Sequence, residues 1–449
     1  MQKRILRYTT VTFSPLFGIL IEKRRIMSDE NLLRYPVEAW DTLQHLFKVK
    51  KINDHTLHFA AAFSGQLNLL RLKRAVDAAA VIFPLIRCGF HENKGYAFWQ
   101  DKNDTSEDIV SLIKTENPEN SVMKFLCTEI DAVNGPQLQI GIIRCRESDT
   151  LCIKISHMLC DAAGFKDFLY LLSATYTGIE KNSVYSPLSA MRNRKIRQLM
   201  TASSFGDRLK IYFSRNDLSV HDCTEFHFEG NLKNPFIELR TMPRDQFCAM
   251  RAYAKSHGAT VNDVILTAFQ RVLFQIFGHT VAIPCANDLR KYLPSHKADG
   301  ICNLITNINC DPGQDLGAAF DDTLIKVKSA MNKEKADIGC MKSVVLMELI
   351  FSILPYHMAK SMIGKVFSNP PIAFTNIGIL DKKQLVFGTA EMTGAYMTGS
   401  IKYSPYFQLA ISTFDNEATF SANLYGTISD RNQIASFLDK MMLELKNAV

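Results

Sequence analysis

Two rhythms of apolar and polar positions run along the chain, and each predicts an element. From Leu57 to Phe63 the sequence reads as a strand. Gly65, Leu67, Leu70, Leu72 and Ala75 to Ile82 follow with apolar spacing of about 3.6, which predicts a helix ending before Pro84. A second strand is expected over Gly89 to Trp99, then a polar connection over residues 101–120 with one short helix. Strands resume at Leu138 to Ile143 and at Thr150 to Ser156, where Leu151, Ile153 and Ile155 alternate with Cys152, Lys154 and Ser156. Phe165, Phe168, Leu169 and Leu172 then fall at i, i+3, i+4 and i+7, the stripe of an amphipathic helix.

The pattern loses definition between Tyr176 and Asn234, around Gly178, Asn182, Ser183 and Pro187. A connection over 181–234 is therefore expected between an N-terminal lobe at 27–180 and a C-terminal lobe at 235–449. The second lobe reads as a strand from Phe236 to Arg240, a helix through Phe247, Met250 and Ala254, and a further helix opened by Thr260 as N-cap with Asp263 three residues on. A strand over Val281 to Cys285, helices within 315–367, and strands near 372–378, 384–390, 405–413 and 417–425 complete it. Strands and helices mixed throughout predict an α/β (α+β) protein.

Composition narrows the class. The 449 residues, 47% hydrophobic and 22% charged, allow a large core and exclude a disordered, collagen-like or disulfide-scaffold chain. The longest apolar run, Tyr8 to Ile21, is broken by Thr9, Thr10, Thr12, Ser14 and Pro15 and falls short of the roughly 20 residues a spanning helix needs. The net charge is +7, but residues 1–26 alone carry six basic groups against Glu22, so the remainder is nearly neutral. That balance gives no support to nucleic-acid binding, which rests on neutralising many phosphates. Met27, opening MSDENLLRYP, is expected to be the working start, with residues 1–26 as an untranslated or disordered extension.

Eleven cysteines, the closest pair being Cys145 and Cys152, form no C-x-x-C motif and no zinc knuckle, and fit a reducing cytoplasm. His55 and His58 make an H-x-x-H pair without acidic or thiol partners at ligand spacing, so no metal site is expected. G-x-G-x-x-G, the Walker P-loop, G-x-S-x-G and H-E-x-x-H are absent, which removes the common nucleotide, hydrolase and metalloprotease readings.

The chemistry concentrates in Ser156-His157-Met-Leu-Cys-Asp161-Ala-Ala-Gly164, where a strand turns into a helix. His157 is the natural general base, since imidazole accepts a proton near neutral pH. Asp161, four residues on, has the position of a helix N-cap.

This segment resembles the His-His-x-x-x-Asp-Gly motif of the chloramphenicol acetyltransferase-like superfamily, which includes condensation domains, alcohol acetyltransferases and polyketide-associated acyltransferases. The resemblance runs from about residue 30 onward, through Gly65-Gln-Leu67, Pro84-Leu-Ile-Arg87 with Phe90, Gly135-Pro136 and Asp149-Thr-Leu151. Beyond the motif it continues through Ala259-Thr-Val-Asn-Asp263, Asn287-Asp-Leu-Arg290, Gly300-Ile-Cys-Asn303 and Thr375-Asn-Ile-Gly378. It implies two lobes, each a mixed sheet flanked by helices, with a tunnel between them, in a monomer. It implies that His157 is the base, that Asp161 is structural, and that an arginine of the second lobe, here Arg290, pairs with Asp161. Two positions depart from the motif: Ser156 replaces the first histidine and Ala162 replaces the glycine. If that glycine has positive φ, Ala162 would cost roughly 1 kcal/mol.

The function implied is transfer of an acyl group from a thioester, acyl-CoA or phosphopantetheine, to a hydroxyl or amine without an acyl-enzyme, with no bound cofactor. Gly164, Asn303, Thr375 and Asn376 are the expected substrate-binding positions, and Asn303 and the Thr375-Asn376 segment are candidates to line the tunnel and donate to the oxyanion. Arg192, Arg194, Lys195 and Arg197 are candidates for CoA phosphates. Phe351, Met358, Met362, Phe367 and Phe374 are candidates for an apolar lining. The alternatives are a free-standing condensation enzyme fed by an acyl carrier protein, and a non-catalytic binding or scaffold protein of the same fold.

Overall fold

The computed structural model describes residues 33–180, 193–214, 223–367 and 369–448. The expected start at Met27, the extension, Arg192 and much of the connection lie outside the described residues.

The N-terminal half runs β1 (Arg34–Pro36), α1 (Ala39–Val49), β2 (Thr56–Phe63), α2 (Leu69–Ile82), β3 (Cys88–Glu92) and β4 (Ala97–Asp101). It continues α3 (Ser106–Ile109), β5 (Val110–Lys114), α4 (Pro118–Leu126), β6 (Leu138–Cys145), β7 (Ser148–Ser156) and α5 (Ala162–Glu180). After α6 (Arg197–Ala202) and α7 (Phe205–Phe213) come β8 (Pro235–Met242), α8 (Arg244–Ser256), α9 (Val261–Phe277), β9 (Ile283–Asp288), β10 (Ile305–Cys310), α10 (Phe320–Ala336), α11 (Lys342–Ile353) and α12 (Tyr356–Val366). The chain closes with β11 (Ile372–Leu380), β12 (Met392–Thr398), β13 (Lys402–Tyr403), β14 (Phe407–Phe414), β15 (Glu417–Tyr425) and α13 (Ile428–Ala448).

Two large mixed sheets carry the architecture. One has the order β12-β2-β7-β6-β5, the other β10-β9-β11-β14-β15-β13 with β8 also on β15. Strand β12 belongs by sequence to the second half, yet it lies antiparallel on β2, with Met397 opposite Phe59. The first sheet is thus completed by the C-terminal half, and the two halves share one continuous core through Phe59, Met158, Phe165, Phe269, Phe374 and Phe407.

Several local expectations are revised. The strand expected over Gly89 to Trp99 is a hairpin, because Asn93 Oδ1 accepts the Gly95 amide at 2.9 Å and closes a turn. Residues 101–120 contain β5, a parallel edge strand on β6. Residues 384–390 form no strand. The Val386 amide and carbonyl bond to Ser173 Oγ at 2.7 and 2.8 Å, and Thr177 Oγ1 adds a third bond, so side chains of α5 satisfy a backbone that would otherwise seek a ladder. The strand falls later, at β12.

Candidate active site

The sharp turn between β7 and α5 holds His157 to Asp161, and three distant segments fix its main chain. The His157 amide donates to the His55 carbonyl at 2.7 Å. Asn303 Nδ2 donates to the carbonyls of His157 at 3.0 Å and Met158 at 3.4 Å. Arg194 Nη2 donates to the carbonyls of Met158 at 3.3 Å and Leu159 at 3.0 Å. Its guanidinium also forms a bidentate pair with Asp41 of α1, at 3.0 and 2.8 Å. Backbone groups that would be orphaned in a buried turn are thereby satisfied, and the turn is rigid.

His157 is half-buried, and its Nδ1 is shut off from solvent. Exchange of a proton with a substrate therefore runs through Nε2. Burial lowers the imidazole pKa, main-chain hydrogen bonding by His157 and Cys160 and the Asp161 charge oppose it, and Lys402 lowers it further. The ring is neutral at physiological pH, the state a base needs.

Asp161 is 2% exposed. Its Oδ1 accepts the Gly164 amide at 2.9 Å, in the manner of an N-cap, and Oδ2 accepts the Leu304 amide at 2.7 Å and Arg290 Nη1 at 2.9 Å. Burial alone would raise its pKa, but the Arg290 charge and these donors outweigh it and hold the carboxylate ionised. Arg290 extends Nη2 to the Cys302 carbonyl at 2.9 Å. Ala162 begins α5 in helical conformation and is not among the residues with positive φ, so the strain anticipated for it does not arise. Ser156 is fully buried, and its Oγ accepts the Met158 amide at 3.4 Å.

The remaining sequence candidates divide. Asn303 lies against His157, but as a clamp: both protons of its amide are spent on carbonyls and Oδ1 is buried without a partner, so it does not donate to an oxyanion. Gly164 also has a packing place, since a Cβ there would stand 2.8 Å from the Cys302 carbonyl oxygen. Thr375 is half-buried and Asn376 exposed on β11, where Asn376 bonds Asn262 at 3.2 Å; among the described residues no hydrogen bond joins either to His157. Arg194 is a buried clamp and not a phosphate contact, whereas Lys195 and Arg197 are exposed. Of the apolar candidates, Phe351 and Phe374 are core, while Met358 and Met362 are exposed at 49% and 44%.

Three residues near His157 carried no sequence signal for this role. His55 is 0% exposed, has φ of 51° and leaves both ring nitrogens without partners. Arg194 belongs to the basic run whose sequence marks it only as a candidate for CoA phosphates. Lys402 sits in a two-residue strand too short for periodicity to mark. A cavity of about 650 Å³, bordered by Asp207, Lys210, Phe213 and Tyr292, contains no residue of the motif. Among the described residues no cluster of metal-ligating side chains occurs, and no helix is long and apolar enough to cross a membrane.

No protein-family model and no curated protein matches this chain. Solved structures do. The trichothecene 15-O-acetyltransferase TRI3 of Fusarium sporotrichioides aligns with a TM-score of 0.67 over 95% of this chain and 96% of its own, at 10% identity. The first condensation domain of the calcium-dependent antibiotic synthetase aligns with a TM-score of 0.66, over 93% and 96%, at 12% identity. The fold is condensation-domain-like. Polyketide synthase associated protein 5 of Mycobacterium tuberculosis shares it, with a TM-score of 0.62 over 92% and 98%, at 13% identity. Within this fold of two lobes, the turn bearing His157 joins the first sheet to α5, and Arg290 and Asn303 reach it from the second half.

Proposed function

We propose that this chain transfers an acyl group from a thioester, acyl-CoA or a phosphopantetheine arm, to a hydroxyl or amine, with His157 as general base. The observation that carries the reading is a neutral, half-buried imidazole on a turn whose backbone is clamped from three sides, with Arg290 holding the Asp161 side chain. His157 Nε2 takes the proton of the acceptor as its oxygen or nitrogen bonds to the thioester carbonyl carbon. The C–S bond then breaks as the carbonyl re-forms, and the thiolate recovers the proton from the imidazolium. Nothing in this sequence requires an acyl-enzyme. The thiol pKa values of Cys160 within the turn and Cys302 beside it are raised by burial, which disfavours them as nucleophiles.

Thiol release from acyl-CoAs of increasing chain length, with mixed alcohols and amines, tests the reading against His157→Ala. Acceptor-dependent release that falls about a hundredfold or more in a folded variant supports it. Release from carrier-bound but not CoA thioesters assigns the donor to a carrier protein. No turnover from either donor class, or turnover untouched by the substitution, overturns the catalytic reading.

A further inference from the structure

Beside the motif turn lies a second group of buried polar side chains that base catalysis does not use. Lys402 is 9% exposed, and among the described residues its ammonium makes no hydrogen bond and no ion pair within contact distance. Its strand is stitched to the segment that holds His157. Lys402 bridges Asn53, the Asp54 amide donates to the Ile401 carbonyl at 3.0 Å, and the Ile401 amide returns a bond to Asp54 Oδ1 at 2.9 Å. One residue further, the His55 carbonyl accepts the His157 amide. Ser400, two residues before Lys402, is 4% exposed and its Oγ has no partner. The Lys402 ammonium, unlike the sealed Ser400 hydroxyl and the sealed nitrogens of His55, is not closed off from accessible space.

A cation with so little water and no partner is costly to keep, unless an anion comes to it. Asp54 is the opposite charge that acts on this ammonium, but it stands outside ion-pair distance and its Oδ1 is engaged by the main-chain amides of Thr56 and Ile401 at 3.1 and 2.9 Å. A lone lysine matches a single negative charge, whereas a phosphate dianion would call for an arginine fork or a second cation.

We propose that Lys402 binds a carboxylate of the acyl acceptor, so that the substrates are hydroxy acids or amino acids in preference to neutral alcohols or amines. This rests on the acyl-transfer reading. The acceptor is the substrate that must reach His157, and Lys402 lies close enough for its charge to act on that imidazole. An arriving carboxylate cancels the charge and strengthens the base as the acceptor is seated.

The test compares 4-hydroxybutanoate and 4-aminobutanoate with their methyl esters as acceptors, using the best thioester donor, in wild type and Lys402→Met. The acid is expected to exceed the ester by about tenfold or more in kcat/KM, mainly through KM, and Lys402→Met to erase that ratio. Lys402→Met removes an unpaired buried charge, so its thermal unfolding is expected at or above that of wild type. A ratio near one in wild type, a ratio untouched by Lys402→Met, or a preference residing in a dicarboxylic acyl donor overturns the proposal. If no thioester turns over, the acyl-transfer reading fails, and calorimetry decides the site by itself. Binding of 4-hydroxybutanoate that is lost in Lys402→Met upholds it, and absence of binding in wild type overturns it.

Discussion

Arg290 and Asp161, 129 residues apart in the chain, meet at 2.9 Å with both side chains almost wholly buried, and so tie the second half of the molecule to the turn that carries His157. Replacing Arg290 by methionine leaves a carboxylate in the interior with only two amide donors. The expected loss is about 3 to 5 kcal/mol in urea unfolding, and Asp161→Asn in the same chain is expected to restore part of it.

The same pair predicts a pH signature. Asp161 has a depressed pKa when folded, so its contribution is present above the unfolded value and disappears as pH falls through the folded one. In Arg290→Met burial prevails and the carboxyl protonates at higher pH. The variant's deficit is therefore largest near neutrality and shrinks on acidification. A deficit independent of pH would assign the loss to packing instead.

For catalysis, burial lowers the His157 pKa, and Lys402 adds to the effect. The acid limb of kcat/KM is expected below the ordinary value of about 6.5, with the rate flat through neutrality. Lys402→Met is expected to move that limb upward. A limb unmoved by the substitution would mean that the lysine charge does not reach the imidazole.

His55 and His58 have pKa values pushed down to about 3 by burial, and Asp54 is pushed up to about 6 by burial. The histidines stabilise the fold above about 6.5 and cost it stability as pH falls below, whereas Asp54 gains a proton in the folded state between about 6 and 4 and acts in the opposite sense. His58→Gln is expected to flatten the loss of stability between these pH values by about one proton, near 1.4 kcal/mol per pH unit, and Asp54→Asn to steepen it equally. Urea unfolding at a series of pH values reads both slopes.

How much of this was legible in the sequence depends on how local the signal is. The β7–turn–α5 unit follows from strict alternation into Ser156 and the stripe from Phe165, and both motif residues lie in a single stretch. Arg290 was reachable only through resemblance, since nothing in Asn287-Asp-Leu-Arg290 itself points across the molecule. Nothing in the basic run sets Arg194 apart from Lys195 and Arg197, and only tertiary structure places it against Asp41. The strand expected at 384–390 failed for a similar reason, with hydroxyls of α5 taking the place of a neighbouring strand.

Arg194 offers a sharp contrast within that run. Arg194→Met strips Asp41 of its bidentate partner and frees the carbonyls of Met158 and Leu159. It is expected to cost about 3 to 5 kcal/mol and to speed hydrogen exchange over residues 157–161. Lys195→Ala and Arg197→Ala, both at exposed positions, are expected to stay within about 0.5 kcal/mol of wild type.

Gly164 tests how closely the halves must approach. Glycine to alanine inside a helix ordinarily gains about 1 kcal/mol, and here the opposite is expected. The new methyl would stand 2.8 Å from both the Cys160 Cβ and the Cys302 carbonyl oxygen, the latter being main chain that cannot swing aside. That carbonyl is also the acceptor for Arg290 Nη2, and the next residue, Asn303, holds the His157 carbonyl. Overpacking of this kind costs about 1 to 3 kcal/mol, and displacement of residues 302 and 303 is expected to lower acyl transfer more than stability alone explains. Gly394→Ala on β12, where a Cβ meets nothing within 4 Å, is the control and is expected to remain within about 0.5 kcal/mol of wild type. Equal behaviour of the two variants would mean that the close approach at Gly164 relaxes without disturbing the turn.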